Sequence, residues 1–298
     1  MTLPNFLCIG AQKGGTTTLF NILKEHPDIY ISEFKEPHYF DLDDNYSRGL
    51  QWYKDEYFNK YNNEKMIGAF TPTYMASSEA PKRILQDLGE NVKLIFLLRN
   101  PIDRAYSQYL HRVRNGHETE GFIDALALEK SRLKQYLSEN NQVSFIYHSY
   151  THQGLYFKHI NNYLNVFDQT KMMISIFDED FLLNKQKMIS ELLTFLNVKY
   201  FPLDLSVHSN PAAVSRFTFV SKMLNKDFFL KKLANRLIKS KITKQRINNK
   251  LYSIIIKPKQ PPKLSIQERT FIYQTYFKKD IERLENLLKR NLNVWVEN

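Results

Sequence analysis

The glycine-rich segment IGAQKGGTTTLF, residues 9–20, constrains the fold more than any other part of the chain. It follows the apolar run NFLCIG and continues into TTTLFNILKEH, where Leu19, Ile22 and Leu23 have helical spacing before Pro27 ends the pattern. This order predicts a buried strand, a glycine turn and a helix. Backbone N–H groups at such a turn, together with the helix N-terminus, favour an anion.

The segment has the glycine frame of a nucleotide-phosphate loop but a displaced lysine. In the pattern G-x-x-x-x-G-K-[ST], the lysine follows the second glycine and the hydroxyl holds Mg²⁺. Here Gly10 and Gly15 keep the frame, Thr16 stands where the lysine would be, and Lys13 lies inside the loop. The loop is therefore predicted to bind phosphate with a different chemistry.

Apolar runs alternate with helical patterns along the rest of the chain. The runs cover 65–70, 92–98 and 171–177, and the helical patterns cover 78–88, 101–113 and 180–195. Continuous apolar strands separated by helices predict an α/β fold, with a mainly parallel P-loop-type central sheet flanked by helices on both faces. Near the C-terminus, Ser265 and Glu268 have the spacing of a capping box that starts further helices.

We expect one domain over residues 1–298, with a basic helical insertion or lid at 218–256 and C-terminal helices at 264–298 packed on the core. Most of the net charge of +11 falls within 222–250, a segment that suits a solvated basic face or peripheral contact with an anionic membrane. This local charge argues against general nucleic-acid binding. No leader or apolar span is seen before the core. The single cysteine, Cys8, lies in an apolar run and cannot form an intrachain disulfide, so it is expected to pack in the core of a cytoplasmic chain.

A second motif, RNPIDRAYSQY, follows the apolar run that ends at residue 98. A P-loop NTPase would place an aspartate for Mg²⁺ near the end of this strand, whereas this chain has Arg99. An arginine repels a metal ion and can bind a phosphate through two N–H groups. The two motifs together predict a nucleotide with phosphate at two separate places and no metal.

This pair of motifs resembles the family of sulfotransferases that depend on 3′-phosphoadenosine 5′-phosphosulfate (PAPS), in its bacterial and glycan-type branch. KGGTTTL is similar to the family's K-x-G-T-T-x-L loop, and RNPIDRAYSQY is similar to its R-[ND]-P-x-x-R-x-x-S-x-Y motif. The resemblance implies that Arg99 and Ser107 hold the 3′-phosphate and that Lys13 meets the charge on the departing phosphate, leaving adenosine 3′,5′-bisphosphate. It assigns the 5′-phosphosulfate to Lys13, Gly14, Gly15, Thr16, Thr17 and Thr18.

The stretch SEFKEPHYFD, residues 32–41, contains the candidates for proton transfer. By itself it could be an ordinary polar loop. Glycan sulfotransferases have a similar E-x-H-[FY]-F-D stretch whose glutamate is the general base, which implies that Glu36 is the base and that His38 supports it. Another branch uses a histidine as base, so the two roles could be reversed.

Two departures from the family affect the acceptor and the closing loop. Heparan-type relatives have E-K-[ST]-P where this chain has AFTP at 69–72, which disfavours a highly anionic sugar acceptor. The usual K-G-R loop is absent, and Arg216 in the segment 208–217 is a candidate replacement for phosphate contact. A carbohydrate, a lipid or a small metabolite with a hydroxyl or an amine is compatible with the sequence. The alternative functions are a P-loop kinase-like phosphotransferase and a non-catalytic nucleotide- or anion-binding module.

Overall fold

A five-stranded parallel sheet forms the centre of the structure, a computed structural model that describes residues 3–207 and 262–295. The spatial order of the strands is β2-β3-β1-β4-β5, and every pairing is parallel. The strands are β1 (Phe6–Gly10), β2 (Ile29–Ile31), β3 (Met66–Phe70), β4 (Lys93–Leu98) and β5 (Met172–Ile176). The predicted parallel α/β fold is therefore confirmed.

The helices of the described residues cover both faces of this sheet. They are α1 (Thr16–Leu23), α2 (Asp43–Tyr46), α3 (Gly49–Tyr57), α4 (Ala80–Leu88), α5 (Pro101–Arg114), α6 (Phe122–Ser138), α7 (Gln142–His148), α8 (Tyr156–Leu164), α9 (Lys185–Leu196), α10 (Ile266–Ile272) and α11 (Lys278–Leu288). Two buried clusters result, one on each face, because alternate residues of a strand point to opposite sides. In β4, Phe96 packs in one cluster and Leu97 in the other.

Several boundaries differ from the sequence prediction. Helix α1 ends at Leu23 rather than at the proline stop, and a π-helical turn at Phe177–Phe181 delays the start of α9 until Lys185. Cys8 is buried in the core as expected, and burial raises the pKa of its thiol to about 12. The segment 218–256 lies outside the described residues.

The C-terminal helices contact the core through polar anchors as well as apolar packing. The capping box is present: Glu268 N donates to Ser265 Oγ at 3.2 Å, and Ser265 N donates to Glu268 Oε2 at 2.7 Å. Asp280 in α11 accepts from the first N–H groups of α8, Phe157 N at 2.9 Å and Lys158 N at 3.1 Å. A carboxylate at a helix N-terminus is stabilising. The bonds of Asp280 therefore hold α11 against α8.

Candidate active site

The two predicted phosphate motifs lie beside each other at the carboxyl ends of β1 and β4. Helix α1, which follows β1, contributes to one buried cluster, and helix α5, which follows β4, contributes to the other. The helices therefore leave neighbouring strands toward opposite faces, which opens a crevice between them. Open α/β sheets bind their ligands in such a crevice.

Backbone contacts fix the loop between β1 and α1, residues 11–15, which we name the phosphate loop. Ala11 N donates to Leu97 O of β4 at 2.9 Å, and Gly14 N donates to Ala11 O at 2.9 Å. A Cβ at Gly14 would lie 2.4 Å from Leu97 O, so a side chain there would force the loop off the strand. Gly15, at the N-cap of α1, has φ +92°, a conformation that glycine adopts readily.

Lys13 lies in a strongly cationic environment within the phosphate loop. The pKa of its ammonium group is lowered to about 8, mainly by burial and then by the charges of Arg114, Arg112 and Arg99, while Glu36 opposes the change. Four positively charged side chains close to a single carboxylate repel one another unless a bound anion compensates their charge. The site is therefore prepared for a multiply charged anion.

Arg99 joins the end of β4 to the phosphate loop. Its Nη1 donates to Lys13 O at 3.3 Å, and its guanidinium carbon lies 5.6 Å from the ring centre of Phe177. The Nε atom is buried and has no hydrogen-bond partner within residues 3–207 and 262–295. The backbone is held by Tyr156, whose hydroxyl donates to Arg99 O at 2.7 Å. A buried donor without a partner at this position fits an anionic ligand.

Asn100 caps α5 and ties the second motif to the C-terminus. Its Oδ1 accepts from Ile102 N at 3.0 Å, and its Nδ2 donates to Trp295 O at 3.0 Å. Asp178 Oδ2 accepts from Asn100 N and from Trp295 Nε1, both at 3.0 Å. The side chain of Asn100 thus sets the direction of α5 and the position of the neighbouring Arg99.

The other polar residues of the motif on α5 differ in exposure. Ser107 is half-buried about two turns into the helix, where its hydroxyl can meet a ligand. Arg104 is completely buried, donates from Nη1 to Gln108 Oε1 at 2.7 Å, and donates from Nη2 to Tyr150 O. Arg104 is therefore structural, whereas Arg99 and Ser107 remain candidates for phosphate binding.

Residues 35–41, named the base segment here, are bonded directly to helix α1. Lys35 Nζ donates to Thr17 Oγ1 at 2.5 Å and lies 3.6 Å from Glu36 Oε1. Thr17 belongs to the first turn of α1, whose N–H groups can bind an anion. The side chain of Lys35 therefore links the carboxylate of Glu36 to the first turn of α1, directly after the phosphate loop.

His38 lies between Glu36 and a buried polar pair. Its Nε2 is 3.8 Å from Glu36 Oε2, and its Nδ1 is 3.0 Å from Asp41 Oδ2, which also accepts from Thr73 Oγ1 at 2.5 Å. Burial lowers the pKa of His38, but the hydrogen bond to Asp41 and the charges of Asp41 and Glu36 outweigh this effect and raise it overall. A histidine held in this way is oriented by Asp41.

The backbone of the base segment adopts unusual conformations at the two candidate residues. Glu36 has φ +62° and His38 has φ +50°, in a region that non-glycine residues seldom occupy. Glu36 N donates to Phe70 O at 2.9 Å, and Asn45 Nδ2 donates to Pro37 O and His38 O. Such strain is concentrated at functional sites and persists because surrounding contacts fix it.

The structure brings together Lys13, Arg99 and Glu36, as the sequence led us to expect, but Arg216 lies outside the described residues. Sequence reasoning missed Thr73, Arg112 and Arg114. The two arginines could have been noticed, because HRVR continues the helix four residues after the motif serine. Nothing in the sequence pointed to Thr73, which is 32 residues from Asp41.

Within the described ranges, no group of three or more histidine, cysteine, aspartate or glutamate residues is arranged to hold a metal ion. The same part of the chain contains no helix with the length and apolar character of a membrane span.

Comparison with known proteins gives a consistent result. The family model described as "Sulfotransferase domain" matches residues 3–247. The chain is 40% identical over 111 residues to the membrane-associated sulfotransferase kil1 of Dictyostelium discoideum, covering 37% of this chain and 23% of that protein. It is 28% identical over 208 residues to human heparan sulfate glucosamine 3-O-sulfotransferase 3B1, covering 70% of this chain and 50% of that protein. The chain thus spans half or less of the length of these relatives.

A solved structure, the sulfotransferase from Alicyclobacillus acidocaldarius, matches the whole fold. It aligns over 99% of both chains with a TM-score of 0.69 and 25% identity. The family model covers far more than half of the chain. The chain therefore belongs to the sulfotransferase domain family.

Proposed function

We propose that the protein transfers the sulfuryl group of PAPS to a hydroxyl or amine of an acceptor. One observation carries the proposal: Lys35 bonds the first turn of α1 and lies beside Glu36, so a potential base borders a loop built for phosphate. A phosphate-binding module alone has no need of a carboxylate at this position. A kinase would need an acidic metal ligand near the end of β4, where this chain has Arg99.

The residues present fit PAPS as the donor. The phosphate loop supplies backbone N–H groups, and the first turn of α1 supplies Thr16, Thr17 and Thr18, for the 5′-phosphosulfate. Arg99, with a buried Nε lacking a partner within the described part of the chain, and Ser107 suit the 3′-phosphate. PAPS supplies an activated sulfuryl group on a phosphate leaving group. The metal-free mechanism predicted from the sequence remains part of this proposal.

Lys13 stabilises the charge that develops as the bond between sulfur and the phosphate oxygen breaks. Its ammonium group can donate to that oxygen, and the nearby arginines strengthen the positive potential. A preorganised donor of this kind lowers a barrier by about 3 kcal/mol. An anionic ligand at the site also raises the pKa of Lys13 and keeps it protonated.

Glu36 accepts the proton of the acceptor while the new bond to sulfur forms. Its side chain is 36% exposed, so an acceptor can reach it, whereas the side chain of Asp41 is 1% exposed and cannot serve in this way. His38 and Lys35 flank the Glu36 carboxylate at 3.8 Å and 3.6 Å and orient it. The reverse assignment, with His38 as base, is tested by the variants below.

For the acceptor, we propose a chemical class and not an individual compound. The heparan relative acts on a glucosamine of heparan sulfate by its name, but the AFTP sequence at 69–72 lacks the charged pair of such enzymes. A carbohydrate, lipid or small metabolite of low charge fits better. A cytoplasmic location is also part of this proposal, and the basic segment 222–250, which the sequence suggests for membrane contact, lies outside the described residues.

The decisive experiment uses PAPS with a radiolabelled sulfuryl group. The protein is incubated with PAPS and a panel of sugar, lipid and phenolic alcohols and amines, with EDTA present, and adenosine 3′,5′-bisphosphate is measured together with labelled product. We expect equal amounts of both, and loss of both in Glu36→Gln. Label transfer from the terminal phosphate of ATP, without transfer from PAPS, would instead support a kinase.

A further inference from the structure

A cavity of about 320 Å³ lies behind the base segment, on the side of His38 away from Glu36. Asp41 and Thr73, which both contact His38 Nδ1, form part of its wall. The rest of the wall comes from the segment before α4, the end of α6, α7, the turn after α7, and α8. Lys13, Glu36 and Arg99 do not line it, so it is distinct from the donor crevice.

The surface of the cavity is mostly apolar in area, although polar side chains are the majority of its lining residues. Leu137, Phe145 and Ile146 contribute the apolar surface. His152 and His159 contribute imidazole rings whose centres are 4.9 Å apart. Concave apolar sites of about 300 Å³ or more with a few fixed polar groups are typical of small-molecule binding sites.

The histidine tautomers follow from their partners. His159 Nε2 lies 2.7 Å from His152 O, and since a carbonyl oxygen accepts, His159 Nε2 is the donor and its Nδ1 is an acceptor. His152 Nε2 lies 3.4 Å from the ammonium group of Lys158, which donates, so His152 Nδ1 carries the hydrogen. Burial lowers the pKa of His152 to about 3 and that of His159 to about 4, so both rings are neutral near pH 7.

The Nδ1–H group of His152 has no hydrogen-bond acceptor among the described residues. Its Nδ1 is buried and has no partner in the part of the chain that the structure describes. A buried donor without an acceptor costs about 1–3 kcal/mol. A ligand oxygen that reaches Nδ1 after a small rotation of the His152 ring would remove this cost.

The charges around the cavity disfavour an anionic occupant. Asp41 and Glu79 lie in its wall, opposed by Lys158 alone among its described lining residues. Asp41 is buried, so its field is poorly screened by water. This contrasts with the donor crevice, where arginines predominate.

We propose that this cavity is a second binding site, for a small uncharged molecule with an aromatic or alicyclic body and a hydroxyl or carbonyl oxygen. The oxygen accepts from His152 Nδ1, and the apolar body packs on Phe145 and Ile146. The proposal depends on the cavity alone and does not require sulfuryl transfer. An occupant lies against Asp41 and Thr73 and therefore close to His38.

Benzyl alcohol is the test probe, and benzoate is its anionic counterpart. We expect benzyl alcohol to bind with a dissociation constant of about 1 mM, as is usual for a fragment of this size, and benzoate to bind at least about tenfold more weakly. Ile146→Trp fills the cavity and should weaken benzyl alcohol binding about tenfold. Val143→Trp is the matched control, because Val143 is exposed on the same helix and does not line the cavity.

His152→Phe provides a second variant that keeps the ring volume and removes the donor. It should weaken benzyl alcohol binding several-fold, even if Ile146→Trp fails to fold. NMR of protein with labelled histidines locates the probe, since the ring signals of His38, His152 and His159 should all shift on titration. Equal binding of benzyl alcohol and benzoate, unchanged binding in both cavity variants, or signals that do not move would each overturn the proposal.

Discussion

The phosphate loop and the base segment are neighbours, because Lys35 bonds Thr17 in the helix that follows the loop, yet different interactions hold the two regions in place. The loop is fixed by backbone bonds to β4 and by glycines that no other residue can replace without a clash. The base segment is fixed mainly by side chains, with His38, Asp41 and Thr73 in one network, in addition to the backbone bond from Glu36 N to Phe70 O. A change in one distant side chain should therefore disturb the base segment far more easily than the loop.

The two regions also differ in charge. Lys13, Arg99, Arg112 and Arg114 make the donor side cationic, while the base segment carries the carboxylates of Glu36 and Asp41. Donor affinity and proton transfer should consequently respond to different substitutions. The predictions below test this separation.

The largest expected effect is on the base. Glu36→Gln should lower kcat by about 10³, because general-base catalysis contributes 10²–10⁴. Binding of adenosine 3′,5′-bisphosphate, measured by calorimetry, should change by less than about threefold. Glu33→Gln is the matched control, since Glu33 forms an exposed ion pair with Lys60 outside the base segment. If Glu36→Gln kept more than a tenth of the activity and His38→Gln kept none, the base would be His38.

Lys13 is predicted to matter almost as much. Lys13→Ala should lower kcat by about 10²–10³, the usual effect of removing one preorganised donor to a developing oxyanion. Lys13→Arg retains a charge but changes its position, so partial activity is expected. Full activity of Lys13→Ala, measured with saturating PAPS, would remove Lys13 from the transfer step.

The pH profile checks the same residue. The pKa of Lys13 in the ligand-free protein is about 8, so the charged form predominates below pH 8 and is lost above it. Because kcat/KM reports the free enzyme, it should fall through a pKa near 8. In Lys13→Arg the fall in kcat/KM should occur only at a much higher pH, since arginine stays protonated. If kcat/KM of Lys13→Arg fell at the same pH as that of the unmodified protein, the fall would be assigned to another group.

The two arginines of the second motif should behave differently. Arg99→Ala should weaken binding of adenosine 3′,5′-bisphosphate about 10–100-fold, because charge-assisted bonds are strong. Arg104→Met should leave that affinity nearly unchanged but lower the free energy of unfolding by about 2 kcal/mol, as Gln108 and the carbonyl of Tyr150 lose their partner. Thermal unfolding and calorimetry on both variants give the comparison. A reversed pattern would contradict the assignment.

The sequence predicted the strands and helices of the donor side because the information for them is local. A strand, a loop and a helix lie within residues 6–23, and Arg99 and Asn100 precede the predicted helix α5 directly. The contacts that complete the site are not local. Asn100 bonds Asp178 and Trp295, which are 78 and 195 residues away, and no spacing rule connects such positions.

The base segment shows the same limit more sharply. A family resemblance pointed to Glu36 and His38, but their positive φ angles and their link to Thr17 through Lys35 depend on tertiary contacts. The three-residue strand β2 is too short for a periodic pattern to reveal it. Local propensity therefore predicts the scaffold of a parallel sheet better than the side-chain network that borders it.

The smallest expected effect tests that network. Thr73→Val keeps the volume of a buried side chain and removes the hydroxyl, which donates to Asp41 Oδ2 at 2.5 Å and lies 3.3 Å from His38 Nδ1. The bond to Asp41 is the shorter of the two and should decide the effect. Asp41 then has one donor fewer and should interact more strongly with His38, whose pKa is already raised by Asp41 and should rise further. We expect kcat to fall only about threefold to tenfold, with donor affinity unchanged. A titration of the labelled His38 ring by NMR measures the shift, and Thr73→Ser should restore it. If the His38 pKa did not move, Thr73 would contribute packing alone, and the base segment would hold its geometry without this hydroxyl.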